Sequence, residues 1–303
     1  MRSEPLVRMP PSLAPGATIA LVSPASWSEP AQIEETAAII ESWGFRPLLG
    51  AHVHDRLGYL AGSDEDRLAD LNDAIRDPTV RAIVCLRGGC GSFRLLRGID
   101  GDGLELDPKP LVGYSDITAL HRVWHQHGVP SLHGAVAGAH QRVVRDALAG
   151  GIPAAVTSDI RQFGAELTTR GRASGPLFGG NLEMLARSVG VLDFDLRGHV
   201  LLLEINRSAG LGHVDRALTQ LTMAGALDGV VGVALGWLSG FEDYEDRGWT
   251  VIDVLRDRLG ELGVPVLAGL PFGHDPNPLV APLGVSCAID ADTGLATFSA
   301  AVK

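Results

Sequence analysis

The sequence predicts an α/β protein in two parts: a parallel sheet covered by helices, followed by a smaller α/β domain with a mostly β core. Three observations carry this reading. Through residue 127, apolar runs of strand length alternate with segments of helical period. A glycine-rich loop and a lone serine each follow one of those runs directly. The pattern then fails over residues 145–172 and resumes with a larger share of short apolar runs.

The elements follow in order. Ile19-Ala20-Leu21-Val22-Ser23 is a nearly continuous apolar run, as a strand covered on both faces requires. From Ile33 to Trp43, Ile33, Ala37 and Ile40 recur at helical spacing, and Gly44 is a stop. Arg46 to Leu49 predicts a short strand. Asp64 to Arg76 predicts a helix with Leu68, Leu71 and Ile75 on one face. Val80 to Leu86 predicts a strand, Leu111-Val112 another, and Ile117 to His127 a helix. A helix between two strands returns the chain to the same end of the sheet, so the strands run parallel and functional residues collect at their carboxyl ends. Gly150-Gly151-Ile152-Pro153 and the polar stretch to Arg172 predict a linker. The expected domains are therefore 1–145 and 173–303, joined by 146–172. The second part has strand-like runs at Val200–Leu203, Val230–Leu235, Val264–Leu267 and Val285–Ile289. Helical patterns occupy Leu182–Val189, Val214–Ala224 and Val251–Leu262. Trp43 and Trp249 are expected to be packing residues.

Composition narrows the function classes. With 303 residues, 46% of them hydrophobic and 20% charged, the chain is an ordinary globular protein long enough for two domains. A net charge of −11 argues against nucleic acid as a partner, because phosphate binding needs a basic face. Cys85, Cys90 and Cys287 are odd in number and lack zinc spacing, so neither a metal site nor a disulfide framework is expected. Cys85 and Cys287 lie in apolar runs and are expected to be buried. The first residues lack the apolar core of a secretory signal, and no apolar run reaches the ~20 residues of a membrane helix. A cytoplasmic location without a membrane partner is the expectation.

The chemistry-bearing motifs are Arg87-Gly88-Gly89-Cys90-Gly91-Ser92 and Gly113-Tyr114-Ser115-Asp116. Glycines let backbone N–H groups approach a ligand closely. A serine at a strand-to-helix turn presents its hydroxyl beside the N–H groups of the next helix. Together they offer a nucleophile and donors for an oxyanion. Locally, Ser115 or Asp116 could equally cap the helix that follows. A nucleophile needs a base and an acid to orient it. His121, His125 and His127 ride on the helix that leads away from Ser115 and read as surface or packing residues. His133 is a further candidate, and the spacing of His121 and His125 lacks the glutamate of a zinc-protease motif. His274, in the turn Gly269-Leu270-Pro271-Phe272-Gly273-His274-Asp275, is the better base. Glu204 ends the apolar run Val200–Leu203, so it should be partly buried and need a partner, either a histidine N–H or Arg216. The order Ser, Glu, His is that of α/β-hydrolases, but G-Y-S-D lacks the second glycine of G-x-S-x-G.

These residues resemble the LD-carboxypeptidase family of serine peptidases, which includes the microcin C immunity peptidases. The resemblance spans nearly the whole chain. It runs through Leu13 to Pro24, Gly58-Tyr59-Leu60-Ala61-Gly62 with Asp66-Arg67-Leu68, the glycine loop and the Ser115 turn. It continues through His133-Gly134, Gly179-Gly180-Asn181-Leu182, Leu203-Glu204, Asp215-Arg216 and the turn ending at His274. It implies a flavodoxin-like N-terminal domain, a barrel-like C-terminal domain and a homodimer. It implies Ser115 as nucleophile, His274 as general base, Glu204 as its orienting acid, and Gly89 and Asp116 N–H groups as the oxyanion hole. It implies no cofactor or metal, and a small peptide substrate: the muropeptide tetrapeptide, which loses its terminal D-alanine during cytoplasmic cell-wall recycling. The alternative within the family is a self-immunity peptidase that cleaves an amide in a peptide–nucleotide toxin. Such proteins tend to carry a longer loop with an aromatic to stack on the base; here Phe241 to Asp246 offers Phe241 and Tyr244, without a clear tryptophan-bearing insertion. Recognition of the substrate carboxylate would fall to Arg87 or Arg216.

Two departures bear on substrate. Cys90 stands where the family often has tyrosine, and Ile205 to His213 replaces an acidic, Pro-Tyr-bearing segment. Outside the family, the glycine loop could instead cradle a phosphate or sugar in a non-catalytic binding protein. It is not the G-x-G-x-x-G of a dinucleotide site.

Overall fold

The computed structural model of the protein describes residues 6–136, 138, 141–151, 155–192, 195–274 and 277–303. The chain forms two compact units. One comprises Met1–Ile152 with Val280–Gly284 and Ala300–Lys303, the other Pro153–Leu279 with Val285–Ser299.

The first unit alternates β1 (Thr18–Val22), α1 (Pro30–Ser42), β2 (Arg46–Leu49), α2 (Asp64–Arg76) and β3 (Val80–Cys85). It goes on through α3 (Gly101–Leu106), β4 (Leu111–Gly113), α4 (Thr118–Gln126), β5 (Ser131–His133) and α5 (Gln141–Leu148). The five strands are parallel in the order β2-β1-β3-β4-β5, which is the flavodoxin-like order. Ile19, Leu21, Val84, Val112 and Leu132 form one core with Ile40 of α1 and Val144 and Leu148 of α5. Trp43 packs against that core. α2 carries its own stop and start signals. Ser63 accepts the Asp66 N–H at its head, Asp64, Glu65 and Asp66 face the positive end of the helix dipole, and Arg76 lies in the last turn. Its carboxyl end is capped by a fully buried lysine: Lys109 Nζ donates to the carbonyls of Ala74, Ile75 and Asp77. The sheet order places the loops after β1, β3 and β4 side by side, and these loops carry Ser26, the glycine motif and Ser115.

The second unit holds β6 (Val156–Thr157), β7 (Arg172–Asn181), α6 (Leu182–Ser188), β8 (Val200–Asn206) and α7 (Leu211–Met223). β9 (Gly232–Ser239), the hairpin β10 (Glu245–Asp246) and β11 (Trp249–Thr250), α8 (Val251–Gly260) and β12 (Val266–Leu267) follow. The next strand, β13 (Ala281–Leu283), returns to the first unit and pairs antiparallel with β5. β14 (Ser286–Asp290) and β15 (Leu295–Phe298) complete a mixed sheet in the order β12-β9-β8-β7-β14-β15-β6. The sheet curls into a half-barrel. The chain after β6 lies along β12, the opposite edge strand. Asp159 N donates to Gly269 O at 2.9 Å, Thr169 N to Val266 O at 2.9 Å, and Val266 N to Thr169 Oγ1 at 2.8 Å. An exposed strand edge is thereby satisfied without another strand.

Several expectations change. The segment 146–172 contains the end of α5, β6 and a 3₁₀ turn at Ala165–Leu167, and residues 152–154 of it lie outside the described set. Residues 280–284 and 300–303, read as part of the second domain, pack with the first. Trp249 is 52% exposed and is no core residue. Cys287 is buried as expected, whereas Cys85 is only partly so. Among the described residues no helix is long and apolar enough to cross a membrane.

The glycine-rich strand β7 is central, between β8 and β14, and its composition hid it. At Gly175 a Cβ would lie 2.0 Å from the Gly198 carbonyl oxygen. At Gly179, with φ +148°, it would lie 1.9 Å from that of Leu202. Backbone approaches this close exclude any side chain. Gly179→Ala should destabilise the protein by about 3 kcal/mol, since neither the backbone angle nor the contact can relax cheaply. Urea denaturation would measure it, and a midpoint equal to wild type would contradict this account of β7.

Candidate active site

The residues of interest fall into two groups, one in each unit. In the first unit, β4 ends at Gly113, Tyr114 is extended at φ −154°, and Ser115 takes φ +62°. Ser115 is one of two non-glycine residues with positive φ among the described residues. That conformation costs a serine on the order of 1 kcal/mol, and sharp strand-to-helix turns with exposed nucleophiles hold their serine this way. The 3₁₀ turn Ser115–Ile117 then leads into α4. Neither Tyr114 nor Ile117, at the cap positions, makes a side-chain cap bond. Asp116 does not cap α4 either: its Oδ2 accepts the Ser92 N–H at 2.9 Å, while Ser92 Oγ donates to Asp116 O at 2.7 Å. Burial pushes the Asp116 carboxyl up, opposed by the Ser92 hydrogen bonds and by Arg67.

The glycine loop is shaped by what surrounds it. A Cβ on Gly88 would come within 3.0 Å of Ser115 Cβ and 3.1 Å of Tyr114 O. Gly89 has φ +102° and Gly91 φ +128°. A Cβ on Gly91 would meet Leu60 Cδ2 at 2.7 Å and Arg67 Nη1 at 2.8 Å. Arg67 is buried in α2 and donates to Gly91 O at 3.2 Å, to Pro24 O and to Asp64. Among the described residues, the N–H groups of Gly89 and Asp116 have no hydrogen-bond partner. Arg87 is exposed and donates to Trp27 O at 3.1 Å, and Cys90 is exposed with its N–H on Ser26 Oγ at 3.2 Å.

His121 and His127, on and just after α4, are held by contacts of their own. His121 is buried with Nε2 2.9 Å from Gly113 O and Nδ1 2.9 Å from Ser131 Oγ. A carbonyl can only accept, so the neutral ring carries its proton on Nε2 and takes the Ser131 proton on Nδ1. Burial pulls its pKa down to about 4. His127 pairs with Glu105 at 2.9 Å. His133 is buried, with the Tyr114 ring edge-on at 6.4 Å.

In the second unit, Glu204 is 0% exposed and sits where the β8–β9 register shifts between Leu203 and Ile205. Its Oε2 lies 2.7 Å from His274 Nδ1, and its Oε1 accepts from Asn181 Nδ2 at 3.0 Å. Asn181 is the register partner of Glu204 on β7. It also donates to Asn206 Oδ1 at 2.8 Å, and its Oδ1 accepts the Met184 N–H as the N-cap of α6. Gly273, at φ +94°, passes so close that a Cβ would be 2.5 Å from Glu204 Cβ. Both carboxylate oxygens are therefore engaged, and Arg216, exposed on α7, is not the partner of Glu204. A hydrogen bond from Nδ1–H to a carboxylate fixes the tautomer in which Nε2 carries the lone pair. Burial lowers the His274 pKa, but the Glu204 hydrogen bond and charge outweigh it, and the net shift is upward.

Two features lay beyond sequence reasoning. Asn181 and Ser26 bond to the candidate residues through contacts that only the sheet registers create. His52, Asp55 and Asp66 gather close enough to hold a metal ion, though His52 already bonds Asp55 at 2.9 Å and Asp66 serves the α2 cap. Phe241 is 1% exposed, and Arg207 stacks over one face of the partly exposed Tyr244 ring at 4.5 Å.

Glu204→Gln keeps the shape but removes the charge, so the His274 pKa should fall relative to wild type. Because the wild-type value is raised, the pair contributes stability that is whole below the free-imidazole pKa and lost as pH rises through the His274 value. The variant should lose that slope. Titration of the His274 ring protons by NMR checks it, and an unshifted curve would exclude Glu204 as the cause.

Residues 19–134 match the LD-carboxypeptidase N-terminal domain and residues 174–289 the LD-carboxypeptidase C-terminal domain of Peptidase_S66. A relative from Streptomyces coelicolor is 38% identical over 97% of this chain and 96% of its own. The murein tetrapeptide carboxypeptidase of Pseudomonas aeruginosa is 30% identical over 90% of this chain and 93% of its own. The crystal structure of muramoyltetrapeptide carboxypeptidase from Oxalobacter formigenes superposes with a TM-score of 0.80 at 25% identity, covering 93% of this chain and 97% of that one. The microcin C7 self immunity protein MccF shares the fold, with a TM-score of 0.82 at 22% identity over 96% and 98% of the two chains. The chain belongs to the LD-carboxypeptidase family of serine peptidases.

Proposed function

We propose that this peptidase releases the terminal D-alanine from murein tetrapeptide in the recycling of cell-wall fragments. Ser115 is the nucleophile, His274 the general base and Glu204 the acid that orients it. The observation that carries the reading is the 2.7 Å bond between His274 Nδ1 and the buried Glu204. An interior carboxylate committed to one imidazole is what a general base needs for a fixed tautomer and a stabilised imidazolium.

The steps follow from these groups. Ser115 Oγ attacks the scissile carbonyl carbon while His274 Nε2 takes its proton. The carbonyl oxygen, now an anion, is held by the Gly89 and Asp116 N–H groups, which have no other partner among the described residues; such donors contribute about 3 kcal/mol each. His274 returns the proton to the leaving amine of D-alanine, and the acyl-enzyme remains on Ser115. Water, deprotonated by His274, then releases the shortened peptide. Arg87 is the better placed of the two arginines to bind the substrate carboxylate, being exposed in the loop that carries Gly89. Arg216 is the other candidate. Cys90 in place of a larger side chain leaves room beside Gly89 for the substrate. The resemblance carries a homodimer and a cytoplasmic site of action into the proposal.

The muropeptide reading is favoured over a peptide–nucleotide toxin because two sequence relatives at 30% identity are named for murein peptides, whereas the MccF likeness is at 22%, and because Phe241 is buried and Arg207 already covers one face of Tyr244. Incubation of murein tetrapeptide with the protein, read by mass spectrometry, should show loss of one alanine. Ser115→Ala should lower the rate at least about a thousandfold while the protein stays folded. Turnover near wild type in that variant would remove Ser115 from the mechanism.

A further inference from the structure

We propose that Ser26 is a positioning residue that sets the direction of the Gly89 N–H; this rests on the reading of that N–H as an oxyanion donor. Ser26 follows β1 by four residues and faces the glycine loop after β3, the neighbouring strand. Its backbone N–H donates to Gly88 O at 3.2 Å. The Gly88 carbonyl and the Gly89 N–H belong to one planar trans peptide, in which the two bonds point in opposite directions. Fixing the carbonyl toward Ser26 therefore turns the Gly89 N–H away from it.

The side chain of Ser26 completes the clamp. Its Oγ accepts the Cys90 N–H at 3.2 Å. It also backs Gly89 so closely that a Cβ there would be 2.4 Å from it. Of the N–H groups in this stretch, that of Cys90 is thus committed to Ser26 and that of Ser92 to the Asp116 carboxylate. The Gly89 N–H, between the Gly88 carbonyl and the Cys90 N–H that Ser26 holds, keeps no partner among the described residues. Ser26 is itself held. Ala61 N donates to Ala25 O at 3.0 Å, Arg67 donates to Pro24 O, and Ser26 forms an isolated bridge with Leu60. The segment is therefore a rigid strut, and an oxyanion donor works best when it needs no reorganisation as the charge develops.

Ser26→Ala removes the Oγ acceptor and releases the Cys90 end of the loop. Its kcat for alanine release should fall about 10- to 100-fold with KM nearly unchanged, because the lost alignment matters most to the oxyanion. Ser26→Thr keeps the acceptor and should recover most of the rate. The second readout needs no murein substrate. The rate at which a fluorophosphonate labels Ser115 should fall in step with kcat in Ser26→Ala and recover in Ser26→Thr. Thermal unfolding of each variant reports its folding. Labelling of Ser26→Ala at the wild-type rate would overturn the proposal, as would a loss that Ser26→Thr does not restore. A wild-type protein that labels but spares murein tetrapeptide would refute the substrate assignment and leave the role of Ser26 standing. A wild-type protein that does not label at Ser115 would remove the nucleophile and this proposal together.

Discussion

A carboxylate at 0% exposure is the constraint around which the second unit is arranged. An isolated buried charge costs several kcal/mol, so Glu204 is tolerable at the end of β8 only with both oxygens bonded. Asn181 supplies one bond and His274 the other. Each supplier has further requirements. Asn181 must be level with Glu204, which the parallel β7–β8 register ensures, and it must cap α6 at the same time. His274 must descend onto the carboxylate through a turn with no side chain at position 273. The glycine of the His274 turn is thus a consequence of the buried charge, whereas those of β7 answer to backbone carbonyls packed against that strand.

The first unit meets a different constraint, a strained serine. In the G-x-S-x-G turn, glycines flanking the nucleophile make the space that the bend needs. Here the residue after Ser115 is Asp116 and the second glycine is absent. The space comes from the neighbouring loop: Gly88 lies directly against the Ser115 Cβ. Asp116, freed from being small, reaches to Ser92 and ties the far end of the glycine loop to the Ser115 turn. The two motifs are therefore one structural device, and its parts are separated in sequence but adjacent in strand order.

Much of this was legible beforehand. The α/β alternation of the first part was plain because strands covered on both faces are nearly pure apolar runs, and β2 and α2 match their sequence limits. The sequence also marked Glu204 as partly buried, since it ends such a run, and the fold buries it completely. Its partner was not legible: a carboxylate beside Arg216 and one beside His274 look the same in one dimension, and only the fold brings residue 274 to residue 204. β7 escaped because glycines, usually loop markers, serve there to let carbonyl oxygens approach. β13 and the last residues escaped because three-residue strands carry no period, and their pairing partner lies far back in the chain. Ser26 gave no signal at all, since its role lies in two hydrogen bonds to another loop.

Residues 205–213, which depart from the family pattern, make their side-chain hydrogen bonds and ring contacts away from the buried carboxylate. Ser208 bonds Glu183 at 2.7 Å, and Arg207 lies over Tyr244. Neither touches the Glu204 carboxylate. Asn206 alone reaches that network, through the Asn181 amide rather than through Glu204. The segment can therefore vary in shape and charge while the buried acid keeps both partners and the imidazole keeps its tautomer. The Glu204–His274 pair thus depends on β7 and on the turn at Gly273 rather than on the side chains of this segment.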